Sequence, residues 1–131
     1  MATLPLLTDE AADPAARAVF DDIRAKRQIE YVNNFWRALA HDPALLQATW
    51  DRLQQVMAPG ALDPLVKELI YVAVSVTNGC DYCTHSHTAA AKAKGMTPDM
   101  HVELLAVIAM AAQTNALATA LQVPTDERFQ A

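Results

Sequence analysis

The chain has 131 residues, which suits one domain spanning 1–131 and leaves little room for a second. Hydrophobic residues make up 53% and charged residues 19%, a balance that excludes a disordered chain and supplies a buried core. The formal net charge of −5, without a basic run, argues against a nucleic-acid partner and against docking on an anionic membrane surface.

Residues 1–10 lack a basic segment followed by an apolar run, so no export signal is read there and the expected address is cytoplasmic. A structural disulfide would be unusual in that compartment. Asp13-Pro14 then opens the first predicted helix, with Ala16, Val19, Phe20 and Ile23 on one face. A short helix over 34–40 carries Phe35, Trp36 and Leu39. Asp42-Pro43 begins a third, striped by Leu46, Trp50, Leu53 and Met57. Asp63-Pro64 begins a fourth over 64–78, a fifth follows over about 80–94, and Thr97-Pro98 begins a long sixth reaching about 121.

In each of the four pairs the side-chain oxygen accepts from an orphan amide, and proline loses nothing at the first helical position. Gly60, Gly79 and Gly95 each follow a helical run and are expected to end it in the left-handed conformation. No segment alternates with period two, so the reading is an all-α bundle of about six helices, closing with a polar tail from Pro124. The longest uninterrupted apolar stretch, 104–112, is well short of the roughly 20 residues that cross a bilayer. That stretch and 69–74 leave little polar face. Two readings follow: a core helix within one chain, or a surface covered by another subunit, and the second is favoured in so short a chain.

The chemistry-bearing stretch is Asn78-Gly79-Cys80-Asp81-Tyr82-Cys83-Thr84-His85-Ser86-His87. Cys80 and Cys83 form a C-x-x-C at a predicted helix start, where unpaired amides and the helix dipole favour a thiolate. Cys80, Cys83 and His87 line up over two turns of one face, so the imidazole is placed to take the thiol proton. Glu68 shares a face with Val72 and Ser75 on the preceding helix. A carboxylate buried there needs a partner, and the second nitrogen of His87 would serve. Tyr82 is a possible accessory donor, His85 lies off the line, and Asp81 suits the helix N-terminus.

Zinc is the rival chemistry, since Cys80, Cys83, His85 and His87 are two thiols and two imidazoles. All four fall within eight residues of one predicted helix, whereas structural zinc usually draws ligand pairs from two elements. A non-catalytic helical oligomer using the cysteines as a redox sensor is the alternative from a different class.

Glu68 followed by Cys80-x-x-Cys83-x-x-x-His87, with Asn78-Gly79 before the first cysteine, resembles the alkylhydroperoxidase D-like proteins of the carboxymuconolactone decarboxylase superfamily. The resemblance is specific over about 63–95. It implies a helical bundle assembling into trimers or hexamers, and dithiol peroxidase activity without a required metal, haem or flavin. It also implies a proton relay from Glu68 through His87 to Cys83, with Cys80 closing the disulfide. The implied partners are a hydroperoxide and an external dithiol or thioredoxin-like reductant. One departure matters: Tyr82 stands where the best-characterised peroxidases carry a histidine. The decarboxylase branch lacks the cysteine pair, which makes lactone decarboxylation the weaker alternative.

Overall fold

The computed structural model describes residues 1–129, and every regular element among them is helical. They are α1 (Pro14–Arg27), α2 (Asn34–Leu39), α3 (Pro43–Met57), α4 (Pro64–Thr77), α5 (Asp81–Ala93) and α6 (Pro98–Ala120). A single 3-10 turn at Glu127–Phe129 falls within the segment read from sequence as a polar tail, whose residues 130 and 131 lie outside the described residues.

The four cap-plus-proline starts form as the chemistry requires. Asp13 accepts from the Ala15 amide at 2.8 Å and Asp63 from Leu65 at 2.8 Å. Asp42 accepts from both Ala44 and Leu45, and Thr97 from Met100. Two of the three expected glycine stops hold: Gly79 and Gly95 have φ of +66° and +100°. Gly60 is a correction. α3 ends earlier, at Ala58, which has φ −60° and ψ 152°. Pro59 follows, and its ring disfavours a helical conformation in the residue before it. α1 ends without any glycine, on Gln28 at φ 54°.

The chain divides into two compact units, 1–58 and 59–131. In the first, α1 and α2 both pack on α3. Val19, Phe20 and Ile23 of α1, Trp36 of α2, and Leu46 and Trp50 of α3 form its core. Trp36 meets Trp50 edge-on at 5.4 Å, and the Trp50 indole N–H donates to Asp22 at 2.6 Å. A buried indole needs such a partner. Asp9 pins the N-terminal segment by pairing with Arg24 at 2.7 Å and Arg37 at 3.0 Å.

In the second unit α4 packs against α5 and α6. Its buried residues include Val72 of α4, Ala91 of α5, and Met96 in the turn that follows α5. α6 contributes none: Val102, Leu105, Val107, Met110 and Leu117 are all exposed. The core-helix reading of this apolar run therefore does not hold within one chain. The uninterrupted-run criterion also understated α6. Gln113, Thr114 and Asn115 break the run without adding charge, so the 23-residue helix is long and apolar enough by length and composition to cross a bilayer.

Candidate active site

Glu68 lies in the first half of α4 and is 4% exposed. The chain leaves that helix through Asn78 and the left-handed Gly79, a conformation that costs glycine little, and turns back into α5. Cys80 is the N-cap of α5 rather than its first helical residue. Its amide donates to the Ser75 carbonyl at 2.9 Å, tying it to the end of α4. Its sulfur accepts from the Cys83 amide at 3.2 Å, the place a capping oxygen ordinarily takes. Cys83 is in the first turn, and the two cysteines are joined as a disulfide with Cα atoms 5.3 Å apart.

One turn further on, His87 meets Glu68. The imidazole Nδ1 lies 2.7 Å from Glu68 Oε2. An ionised carboxylate only accepts, so Nδ1–H donates, and in the neutral ring Nε2 is then the basic nitrogen. The ring stacks on Tyr71, one turn after Glu68 on α4, with centroids 3.5 Å apart and planes 15° from parallel. The second carboxylate oxygen, Oε1, accepts from Lys94 Nζ at 2.9 Å.

Opposing forces act on Glu68. Burial pushes its carboxyl up, but hydrogen bonds from His87 and Lys94, with their charges, outweigh it and hold the group below the ordinary carboxylate range. The site thus presents an anionic carboxylate, an oriented imidazole and a disulfide at a helix start. Such a set can move a proton and a pair of electrons.

Of the residues singled out from sequence, Glu68 lies on α4, Cys80 caps α5, and Cys83 and His87 lie in its first two turns. Tyr82, between the cysteines, is 44% exposed, and His85 is exposed. Among the described residues no three His, Cys, Asp or Glu side chains converge as a metal set. Tyr71 and Lys94 were not found from sequence. Their spacing held the signal: Tyr71 follows Glu68 by three residues, and Lys94 follows His87 by seven.

Residues 43–126, from the start of α3 to six residues beyond α6, match the carboxymuconolactone decarboxylase family. The chain belongs to that family. Within it the chain is similar to an alkylhydroperoxidase AhpD core from Rhodospirillum rubrum of known crystal structure. The two are 60% identical, with a TM-score of 0.96 over 100% of this chain and 98% of that one. An alkyl hydroperoxide reductase AhpD of Solibacter usitatus is 38% identical over 72 residues, 55% of this chain and 39% of that protein. The chain thus spans well under half of that relative. An uncharacterized protein of Cupriavidus necator is 34% identical over 83 residues, 63% of this chain and 74% of its own length. This chain is an AhpD-like member of the family, with the all-helical architecture of the Rhodospirillum core.

Proposed function

We propose that this chain is a dithiol-disulfide oxidoreductase that reduces hydroperoxides. The observation that carries the reading is the Glu68–His87 pair, at 2.7 Å, one turn beyond a Cys80–Cys83 disulfide at a helix start. In the reduced protein, His87 Nε2 takes the Cys83 thiol proton. The thiolate attacks the distal peroxide oxygen, the O–O bond breaks, and the leaving alkoxide receives the proton back from His87 as an alcohol. Cys83 is now a sulfenic acid. The Cys80 sulfur attacks it, water leaves, and the disulfide closes. An external dithiol, free or on a thioredoxin-like protein, returns two electrons through a mixed disulfide. The proposed setting is the reducing cytoplasm, and the steps as written call on no metal, haem or flavin.

The exposed apolar surface of α6 supports assembly with further copies of the chain, the trimer or hexamer that the family resemblance implies. The decisive measurement for the function is consumption of an alkyl hydroperoxide by purified protein with a dithiol in excess. Multiple turnovers that vanish when both cysteines are replaced by serine support the reading. A single stoichiometric oxidation without turnover would leave a redox sensor instead.

A further inference from the structure

Glu68 is held through both of its oxygens, and only one of them meets the ring on which the proposed chemistry turns. Oε2 receives Nδ1–H of His87; Oε1 receives Lys94 Nζ at 2.9 Å. Lys94 ends α5: its backbone N–H bonds back to carbonyls of the last turn, and Gly95 at φ +100° turns the chain away. Its backbone is therefore held, and a spacing of seven puts its side chain on the same helical face as His87. Lys94 touches neither sulfur. Its link to the proposed chemistry runs through a carboxylate that is almost wholly out of water.

We propose that Lys94 is a positioning residue for the sulfur chemistry, acting through Glu68 to set which nitrogen of His87 carries the proton. The assignment rests on the proposed use of His87 as the proton acceptor for Cys83. With Lys94 in place, the buried carboxyl stays anionic and can only accept, so the ring proton stays on Nδ1 and Nε2 is the base. Without Lys94, one oxygen loses its partner and burial favours the neutral acid, which forms by taking one proton from solvent. A neutral carboxyl can donate to Nδ1. The remaining ring proton then sits on Nε2, which can no longer take a proton from the thiol. Lys94 is 38% exposed on its side chain and Glu68 only 6%, so replacing Lys94 opens no core cavity, and the group left short of a partner is the buried carboxyl.

The test uses the reduced full chain and two readouts that need no peroxide: the rate at which iodoacetamide alkylates Cys83, and the ring nitrogen signals of His87 with the ring neutral. Lys94→Met should slow alkylation about tenfold, a fraction of the usual acid-base contribution, and move the ring proton toward Nε2. Lys94→Arg should restore both. In a Glu68→Gln background, Lys94→Met should cause no further loss, because the amide oxygen that Lys94 held is then free to accept from His87 Nδ1. An unchanged tautomer and alkylation rate in Lys94→Met would overturn the assignment. So would an equal loss in the Glu68→Gln background. Failure of peroxide turnover in the unaltered protein would instead remove the peroxidase reading, and would leave these two readouts to stand or fall by themselves.

Discussion

Replacing Glu68 by glutamine keeps shape and removes charge, and the structure lets both consequences be worked out. The carboxylate now accepts from two donors, His87 Nδ1 at 2.7 Å and Lys94 Nζ at 2.9 Å. A carboxamide has one oxygen and one NH2, so it can satisfy one donor and must confront the other with hydrogens. If the oxygen stays with Lys94, the NH2 faces His87, and the ring relieves the clash by moving its proton to Nε2. The imidazole then has the wrong tautomer for accepting from Cys83. The expected loss in turnover is on the order of 10²-fold or more, the usual scale of acid-base assistance. Stability should change less. The hydrogen bonds at a residue that is 4% exposed lose their ionic character, but Lys94 keeps the amide oxygen and, over a third exposed, the water around it. About 1–2 kcal/mol is the result, a shift of a few degrees in Tm. Peroxide consumption with a dithiol and a thermal melt on the same sample check both. Unchanged turnover, or a rate loss no larger than the unfolded fraction accounts for, would refute the argument.

Cys83→Ser should abolish peroxide consumption, whereas Cys80→Ser should permit one attack and leave a sulfenic acid on Cys83 that a dimedone-type reagent traps; trapping on Cys80 in the converse variant would reverse the roles. The Glu68 carboxyl is held below its ordinary value of 4.5, so its contribution to stability is fully present above about that pH and is lost as pH falls through the lower folded-state value. The stability gap between the parent and Glu68→Gln should therefore close on acidification, and a gap constant with pH would place its origin elsewhere. Val107→Glu, on the exposed apolar face of α6, should lower the mass seen by light scattering toward the 14.2 kDa of one chain. An unchanged mass would show that this face is not where copies meet.

What the sequence made legible was whatever is local. Each aspartate- or threonine-proline pair fixes a helix start through one side chain and its own next few amides, so all four starts could be placed within a residue. Glu68 and His87 could be paired because a two-residue turn at Asn78-Gly79 folds one helix back on the next, and helical spacing does the rest. Stops were harder where they depended on the following residue: Pro59 ended α3 before Gly60 could, and Gln28 took a left-handed conformation that its residue type does not announce. Tyr71 and Lys94 were hidden for another reason. A tyrosine on an apolar helix reads as packing, and a lysine at a helix C-terminus reads as a partner for the dipole. Only the shared approach to His87 and Glu68 separates them from those ordinary roles.

Tyr82 ties these points together. It occupies the position between the cysteines where the best-characterised peroxidases of the superfamily carry histidine. A phenol donates a hydrogen bond but is a poor base, so in the proposed cycle the proton taken from sulfur and returned to the leaving alkoxide would have one basic carrier, His87. A site with a single carrier is sensitive to that carrier's tautomer and tilt. The three contacts on His87 and its partner address those two variables: stacking on Tyr71 fixes the ring plane, Glu68 fixes the protonated nitrogen, and Lys94 fixes the carboxylate. All of them come from α4 and α5, so the proton-handling geometry is set within one helical hairpin. That hairpin also holds the sulfur pair, through the Ser75 carbonyl and the Cys80 cap. A perturbation that loosens the α4–α5 packing should therefore disturb sulfur reactivity and His87 together.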